Sequence, residues 1–286
     1  MIAVLLGIFA AISWALLDLI ARHFATRIGP FRITLWAFVF AGAILTVYFA
    51  IVGLPRVSPN GLMLSLIMGV AYALGAGMLF KAFSLGPISI VGPITQCYAV
   101  MVIGWGLTQG LNPSLVQWLA IPVIFLGIVL VARFAANTGE TSTVRDGDWG
   151  KLYFFCGLSA LGFASAAVLS QAAAPIVGEV ETVWISRLTA ALSVLPFLAT
   201  ERHLAIRGAW QWIAIVAAGI LDAAGIMAIA AAGLLPGKEF AVVASSSYGA
   251  FGVAFAALIL KERVAPLQWT GVGLIVAGIA ALGWPA

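Results

Sequence analysis

Residues 69–75, Gly-Val-Ala-Tyr-Ala-Leu-Gly, and residues 219–225, Gly-Ile-Leu-Asp-Ala-Ala-Gly, decide the reading of this chain. Gly69, Tyr72 and Gly75 recur 150 positions later as Gly219, Asp222 and Gly225. Each copy lies inside an apolar run of helical length. Other residues keep nearly the same offset: Gln117, Trp118 and Gly127 return as Gln268, Trp269 and Gly278, and Tyr98 returns as Tyr248. An ordered set of such pairs indicates an internal duplication, and no solenoid period of roughly 20 to 50 residues accompanies it.

Composition says where the duplicated unit lives. The chain is 63% hydrophobic and 8% charged, whereas soluble domains are roughly 25% charged. Its mean hydropathy is +1.14. A membrane span needs roughly 20 apolar residues, and on that measure helices are expected over 2–21, 31–52, 62–82, 88–109, 115–134, 150–172, 180–200, 211–233, 239–260 and 266–284. The fold class expected is an all-α integral membrane protein with ten transmembrane helices. No basic residue precedes the first run, so it is read as a mature helix rather than a signal peptide. Cys97 and Cys156 fall inside spans and read as packing residues.

The hydrophilic stretch Ala135 to Trp149 divides the chain into a first five-helix unit, 1–134, and a second, 150–286. Five is odd, so the second copy enters the membrane upside down relative to the first. Inverted repeats of this kind place a substrate site at their shared interface, near the bilayer midplane. Basic residues give the orientation. Arg22, Arg27, Arg32, Lys81, Arg133, Arg145, Lys151, Arg202, Arg207, Lys261 and Arg263 flank the odd-numbered turns, against Arg56 and Lys238 at the even ones. By the positive-inside rule the 135–149 linker is cytoplasmic and both termini face outward.

Further segments carry a resemblance. Trp14, the run Pro87-Ile88-Ser89-Ile90-Val91-Gly92-Pro93, Arg187 followed by Leu188-Thr189-Ala190-Ala191, and Leu260-Lys261-Glu262-Arg263 ahead of Gln268-Trp269-Thr270-Gly271 resemble the drug/metabolite transporter superfamily in its EamA-type branch. The likeness covers 1–134 and 150–286. Two departures stand out: Leu111-Asn112 replaces the Glu-Arg pair in the first half, and Val39 stands where the repeat would put a counterpart of Arg187. The resemblance implies ten helices around a central cavity and outward movement of small organic solutes across the inner membrane. The aromatic-rich helices look most similar to YddG-type amino-acid exporters.

Asp222 is the sharpest candidate for a substrate-binding residue. It lies about 12 residues from either end of its expected helix, where a carboxylate costs roughly 2.5 to 3.5 kcal/mol and is too short to reach the interface. It reads either as the ligand of a substrate ammonium or a proton carrier, or as one half of a structural ion pair or gate with Arg187. Arg187 itself, two turns into its helix, is expected to extend its stem toward the outer interface. Asp18 reads as a local pair with Arg22.

Trp14, Tyr72, Tyr98 and Tyr248 sit near helix centres rather than at the interfaces that membrane aromatics favour. Their polar atoms need partners, which points to a polar cavity. Gln96 and the run Ser245, Ser246, Ser247 lie beside them and complete the expected substrate-binding set. Trp36, Trp105 and Trp184 are lesser pore candidates, while Trp118, Trp210, Trp212, Trp269 and Trp284 read as interface belts. Pro87, Pro93, Pro122 and Pro196 are hinge candidates.

Catalysis is not expected. The two histidines, His23 and His203, lie near turns, and no metal-binding, phosphate-cradling or nucleophile motif is present, so neither metal nor cofactor is implied. The expected partners are membrane lipid and a small-molecule substrate, an amino acid or related metabolite. Nucleic acid is not among them, and the chain is read as a monomer. Drugs, cations, nucleosides or sugars are the alternative cargo, and a channel-like facilitator the alternative class.

Orientation is testable at once. In a variant without Cys97 and Cys156, a single cysteine at Ser142 should resist an impermeant thiol reagent in intact cells and react after permeabilisation. Labelling from outside would reverse the topology.

Overall fold

The computed structural model describes residues 1–86, 88–135, 148–199, 206, 208–259 and 264–284. The described residues form helices and no strands: α1 (Ile2–Ile28), α2 (Pro30–Val52), α3 (Pro59–Phe83), α4 (Ile88–Gln96), α5 (Tyr98–Thr108), α6 (Leu115–Ala135), α7 (Trp149–Val177), α8 (Glu179–Leu198), α9 (Ala209–Ala232), α10 (Lys238–Ser245), α11 (Tyr248–Ile259) and α12 (Pro266–Leu282). Most of the expected linker, Pro87, Arg145, Arg202, Arg207, Lys261 and Arg263 lie outside the described residues, as do the side chains of Asp18, Arg22 and Arg27.

Local sequence explains the helix ends. Pro59 and Pro266 open α3 and α12, where a missing N–H is no loss. The Ser58 hydroxyl accepts from Gly61 N–H at 3.3 Å, and the Gln268 side chain accepts from Ala265 N–H at 2.9 Å. The α1–α2 and α7–α8 corners are each a single residue, Gly29 at φ 95° and Gly178 at φ 96°. Only glycine holds that conformation without strain.

By length and composition, seven helical stretches are long and apolar enough to cross a membrane: Phe31–Val52, Pro59–Phe83, Ile90–Thr108, Leu115–Phe134, Trp149–Val177, Ala209–Ala232 and Lys238–Ile259. α12 and the Ile2–Leu17 part of α1 are shorter apolar helices. α8 carries Glu179, Glu181 and Arg187, which lower its apolarity.

Large apolar residues cover the outside of the bundle as well as filling its core, and a few polar residues are buried among them. Leu66, Leu161, Leu192, Ile220, Leu258 and Val276 are exposed, while Ser65, Ser159, Thr182, Ser186, Arg187 and Asp222 are buried. Lipid solvates the first set, and the second finds partners inside. Small residues bring the helices together. Gly162 of α7 faces Gly75 of α3 so closely that a Cβ on Gly162 would lie 2.7 Å from the Gly75 backbone, and Ser159 Oγ donates to Gly75 C=O at 2.9 Å. Such backbone approach is how helices associate where solvent supplies no hydrophobic drive.

The structure corrects two expectations. The fourth and ninth spans, read as continuous, are broken at Cys97 and at Ser246–Ser247. Conversely, α6 and α8 run through the hinge candidates Pro122 and Pro196 without interruption. Side chains at these turns bond back to their own helix. Ser245, Ser246 and Ser247 donate to the carbonyls of Val242, Val243 and Ala244, and Cys97 Sγ lies 3.3 Å from Pro93 C=O. Each such bond competes with the regular ladder.

Gly162→Val should lower the melting temperature of the purified protein, because backbone must move to admit the side chain at a cost of about 1–3 kcal/mol. Gly157→Val, on the same helix with nothing within 4 Å of its Cβ position, should leave it nearly unchanged.

Candidate functional site

Three helices bring charge together near the middle of the bundle. Arg187 of α8 and Asp222 of α9 form an ion pair at 3.0 Å between Nε and Oδ2, with side chains 0% and 3% exposed. Tyr72 of α3 donates its hydroxyl to Asp222 Oδ1 at 2.8 Å. The guanidinium carbon lies 4.3 Å from the Tyr72 ring centroid and 5.1 Å from that of Phe38 on α2. A cation over an aromatic face in a desolvated setting gains on the order of 2 kcal/mol.

The cluster continues through rings. Phe163 of α7 packs edge-on against Tyr72 at 5.5 Å and against Tyr98 at 6.2 Å. Tyr98, the first residue of α5, shares a hydrogen bond of 3.1 Å with Ser245, the last of α10. Both helix breaks therefore abut the same aromatic group. Trp14 of α1 sits against Gly225, one turn beyond Asp222, with Nε1 2.7 Å from where a Cβ would stand.

Several buried polar atoms lack hydrogen-bond partners among the described residues: Trp14 Nε1, Gln96 Oε1, Asp222 Oδ2, and Nε, Nη1 and Nη2 of Arg187. The 3.0 Å Nε–Oδ2 contact pairs the charges without the alignment of a hydrogen bond. Buried polar groups are satisfied in the great majority of cases, and each exception costs on the order of 1–3 kcal/mol. The site thus offers spare donors on Arg187 and Trp14 and a spare acceptor on Gln96.

Of the expected binding residues, Trp14, Tyr72, Tyr98, Asp222 and Ser245 come together. Gln96 lies beside Gly249, its Nε2 3.4 Å from a Cβ placed there, and the adjoining Tyr248 is half-buried. Ser246 and Ser247 are buried but give their protons to their own helix. Arg187 does not reach the interface as expected. Its counter-ion on α9 and its two aromatic covers hold it inside. Asp222 is not open to a substrate ammonium in this conformation, since both oxygens face Arg187 or Tyr72. Trp105 is exposed and faces away from the bundle. Trp184 donates to Thr46 Oγ1 at 2.9 Å, and Trp212 packs on Trp36 at 5.1 Å. Phe38 and Phe163 were not singled out from sequence. Phe163 had a signal, standing 149 positions after Trp14.

Open space lies at the two ends. One cavity, about 380 Å³, is bounded by the α5–α6 and α9–α10 connections. The other, about 390 Å³, is lined by Arg32, Leu35, Trp36, Leu198, Ile206 and Trp212. The charged cluster lies closed between them.

Comparisons with known proteins agree with this architecture. The pattern of the EamA-like transporter family matches residues 1–133 and 150–284. A protein named as a ribose uptake protein, RbsU, from two strains of Staphylococcus epidermidis is 32% identical over 134 residues. That match covers 44% of this chain and 44% of the relative, so it spans under half of the relative's length. A solved crystal structure superposes over 98% of this chain and 96% of its own, with a TM-score of 0.82 and 18% identity, a likeness of fold.

Asp222→Asn should destabilise the protein by about 3–5 kcal/mol, because it strands a buried guanidinium. The double variant Arg187→Met/Asp222→Asn should recover most of that loss in a thermal melt. A single variant as stable as the parent would show that the pair does not hold the fold.

Proposed function

The chain belongs to the EamA-like transporter family, and from that premise we propose that it is a secondary transporter that exports small, overall neutral metabolites, amino acids foremost, across the inner membrane by alternating access. Ten spans carry this out, arranged as two inverted five-helix repeats, 1–134 and 150–286, around a central site, with the 135–149 linker inside and both termini outside. α4 with α5, and α10 with α11, each count as one broken span.

Reciprocal contacts support the inverted repeat. Gly127 of α6 meets Ile275 of α12, while Gly278 of α12 meets Ile124 of α6. Gly75 meets Phe163 while Gly225 meets Trp14, and Gly69 meets Ser186 while Gly219 meets Ala37. Each second contact is the first with its halves exchanged, as a two-fold relation requires. Two equivalent halves give two arrangements of similar energy, and a solute that binds both can cross without a continuous pore.

The single observation that carries the substrate class is the set of unpaired buried atoms. Arg187 Nη1 and Nη2 and Trp14 Nε1 suit a carboxylate, and Gln96 Oε1 suits an ammonium. The Arg187–Asp222 pair is already neutral, so a zwitterion adds no net charge to a site where an extra ion would cost several kcal/mol. Tyr72, Tyr98, Tyr248 and Trp14 would meet the side group, with Asp222 and Ser245 to Ser247 near its polar end. A second reading, carriage of a sugar, is favoured by the staphylococcal relative's name, since hydroxyl groups also satisfy spare donors. The outward direction follows the superfamily resemblance, whereas that relative is named for uptake.

Counterflow in reconstituted vesicles, read in both directions over amino acids, ribose, nucleosides and cationic drugs, tests the assignment. Amino acids should exchange, and Trp14→Phe, which deletes one spare donor and keeps the ring, should slow exchange about tenfold without lowering stability. Exchange of ribose but no amino acid would establish the second reading.

A further inference from the structure

Outside the central cluster, one buried ionisable group is left over. Glu239, in the first turn of α10, lines the 380 Å³ cavity and is 6% exposed. Its carboxylate has no hydrogen-bond or ion-pair partner among the described residues. The neighbouring Lys238 is half-buried, lines the same cavity and forms no ion pair with it. The packing makes room for this acid. Gly106 of α5 faces it, and a Cβ there would lie 2.7 Å from Glu239 Cγ.

Among the described residues no cation forms an ion pair with the carboxylate. α5 carries no charged residue, α9 carries only Asp222, about 15 Å along its axis from the cavity end, and the charged residues of α1 lie at its far end. Met1 brings its amino group to the cavity end of the bundle but is 82% exposed. From α7, Gln171 donates to Lys238 C=O at 2.8 Å rather than to the acid. The positive end of α10 offers about half a unit charge. A carboxylate on a largely buried side chain that lines open space can receive a cation there.

We propose that Glu239 and this cavity form a landing site for the ammonium group of the substrate, used from one face of the membrane only. The proposal rests on the amino-acid reading above. α10 joins the landing site to the central cluster, running eight residues from Lys238 to Ser245, whose hydroxyl meets Tyr98. Among the described residues, the cavity at the opposite end is lined by Arg32 and apolar residues. Among the described linings only the Glu239 entrance presents a carboxylate, so recognition of an ammonium belongs to that side.

Right-side-out and inverted vesicles separate the faces. Glu239→Gln keeps the shape and breaks no internal pair, so the protein should fold. The half-saturating amino-acid concentration at the Glu239 face should rise about tenfold, with the opposite face unchanged. Gly106→Ala, which crowds the carboxylate without removing it, should shift the same face in the same direction. No shift at either face, or equal shifts at both, overturns the landing site while leaving amino-acid carriage intact. Wild-type vesicles that exchange no amino acid from either face defeat the substrate reading, and the landing site with it.

Discussion

A buried ion pair in a lipid-solvated bundle governs the rest of this structure. Arg187 and Asp222 lie on helices whose outer faces meet apolar surroundings, and neither could stand there alone. Desolvating each ion costs several kcal/mol, which their attraction offsets only when they meet at close range. Pairing them sets α8 against α9. Tyr72 then brings α3 to the same point through its hydroxyl, and Phe38 brings α2 through its ring. A cluster built for stability alone would saturate the guanidinium. Here, among the described residues, its Nη edge is left without an acceptor, and that departure is what the proposed substrate site is built on.

Around this point, glycine, alanine and serine set the distances. Gly75 against Gly162, and Gly225 against Trp14, bring backbones or rings within contact, so the charged residues face one another instead of being held apart by bulk. The two broken spans end at the same place. α5 begins and α10 ends where Tyr98 meets Ser245, so a rearrangement of either half-helix acts directly on the aromatic lining. Open space lies at both ends of the bundle, with the buried ion pair between.

Much of this was legible in the residues. The shared frame of Gly69-Gly75 and Gly219-Gly225 placed Tyr72 and Asp222 at corresponding positions, and in the structure those two residues touch. A carboxylate near the middle of an apolar helix had to face the interior, and the pair with Arg187 was one of the two readings the residues left open. The turns in the fourth and ninth spans left no signal in the residues: Cys97 read as a packing residue and the three successive serines as lining. Arg187 was misplaced for a similar reason: two turns from a helix end, a long stem can point either way.

Apolar run lengths by themselves determined that the chain is helical and lies in a membrane, because lipid demands that pattern of any segment that crosses it. Only the tertiary structure decided which polar atoms are satisfied. That Tyr72 caps one oxygen of Asp222, that Phe163 bridges Tyr72 and Tyr98, and that Glu239 lines a cavity without a counter-ion all depend on distances between helices remote in sequence. Those distances come from packing among side chains, and periodicity along one helix does not encode them.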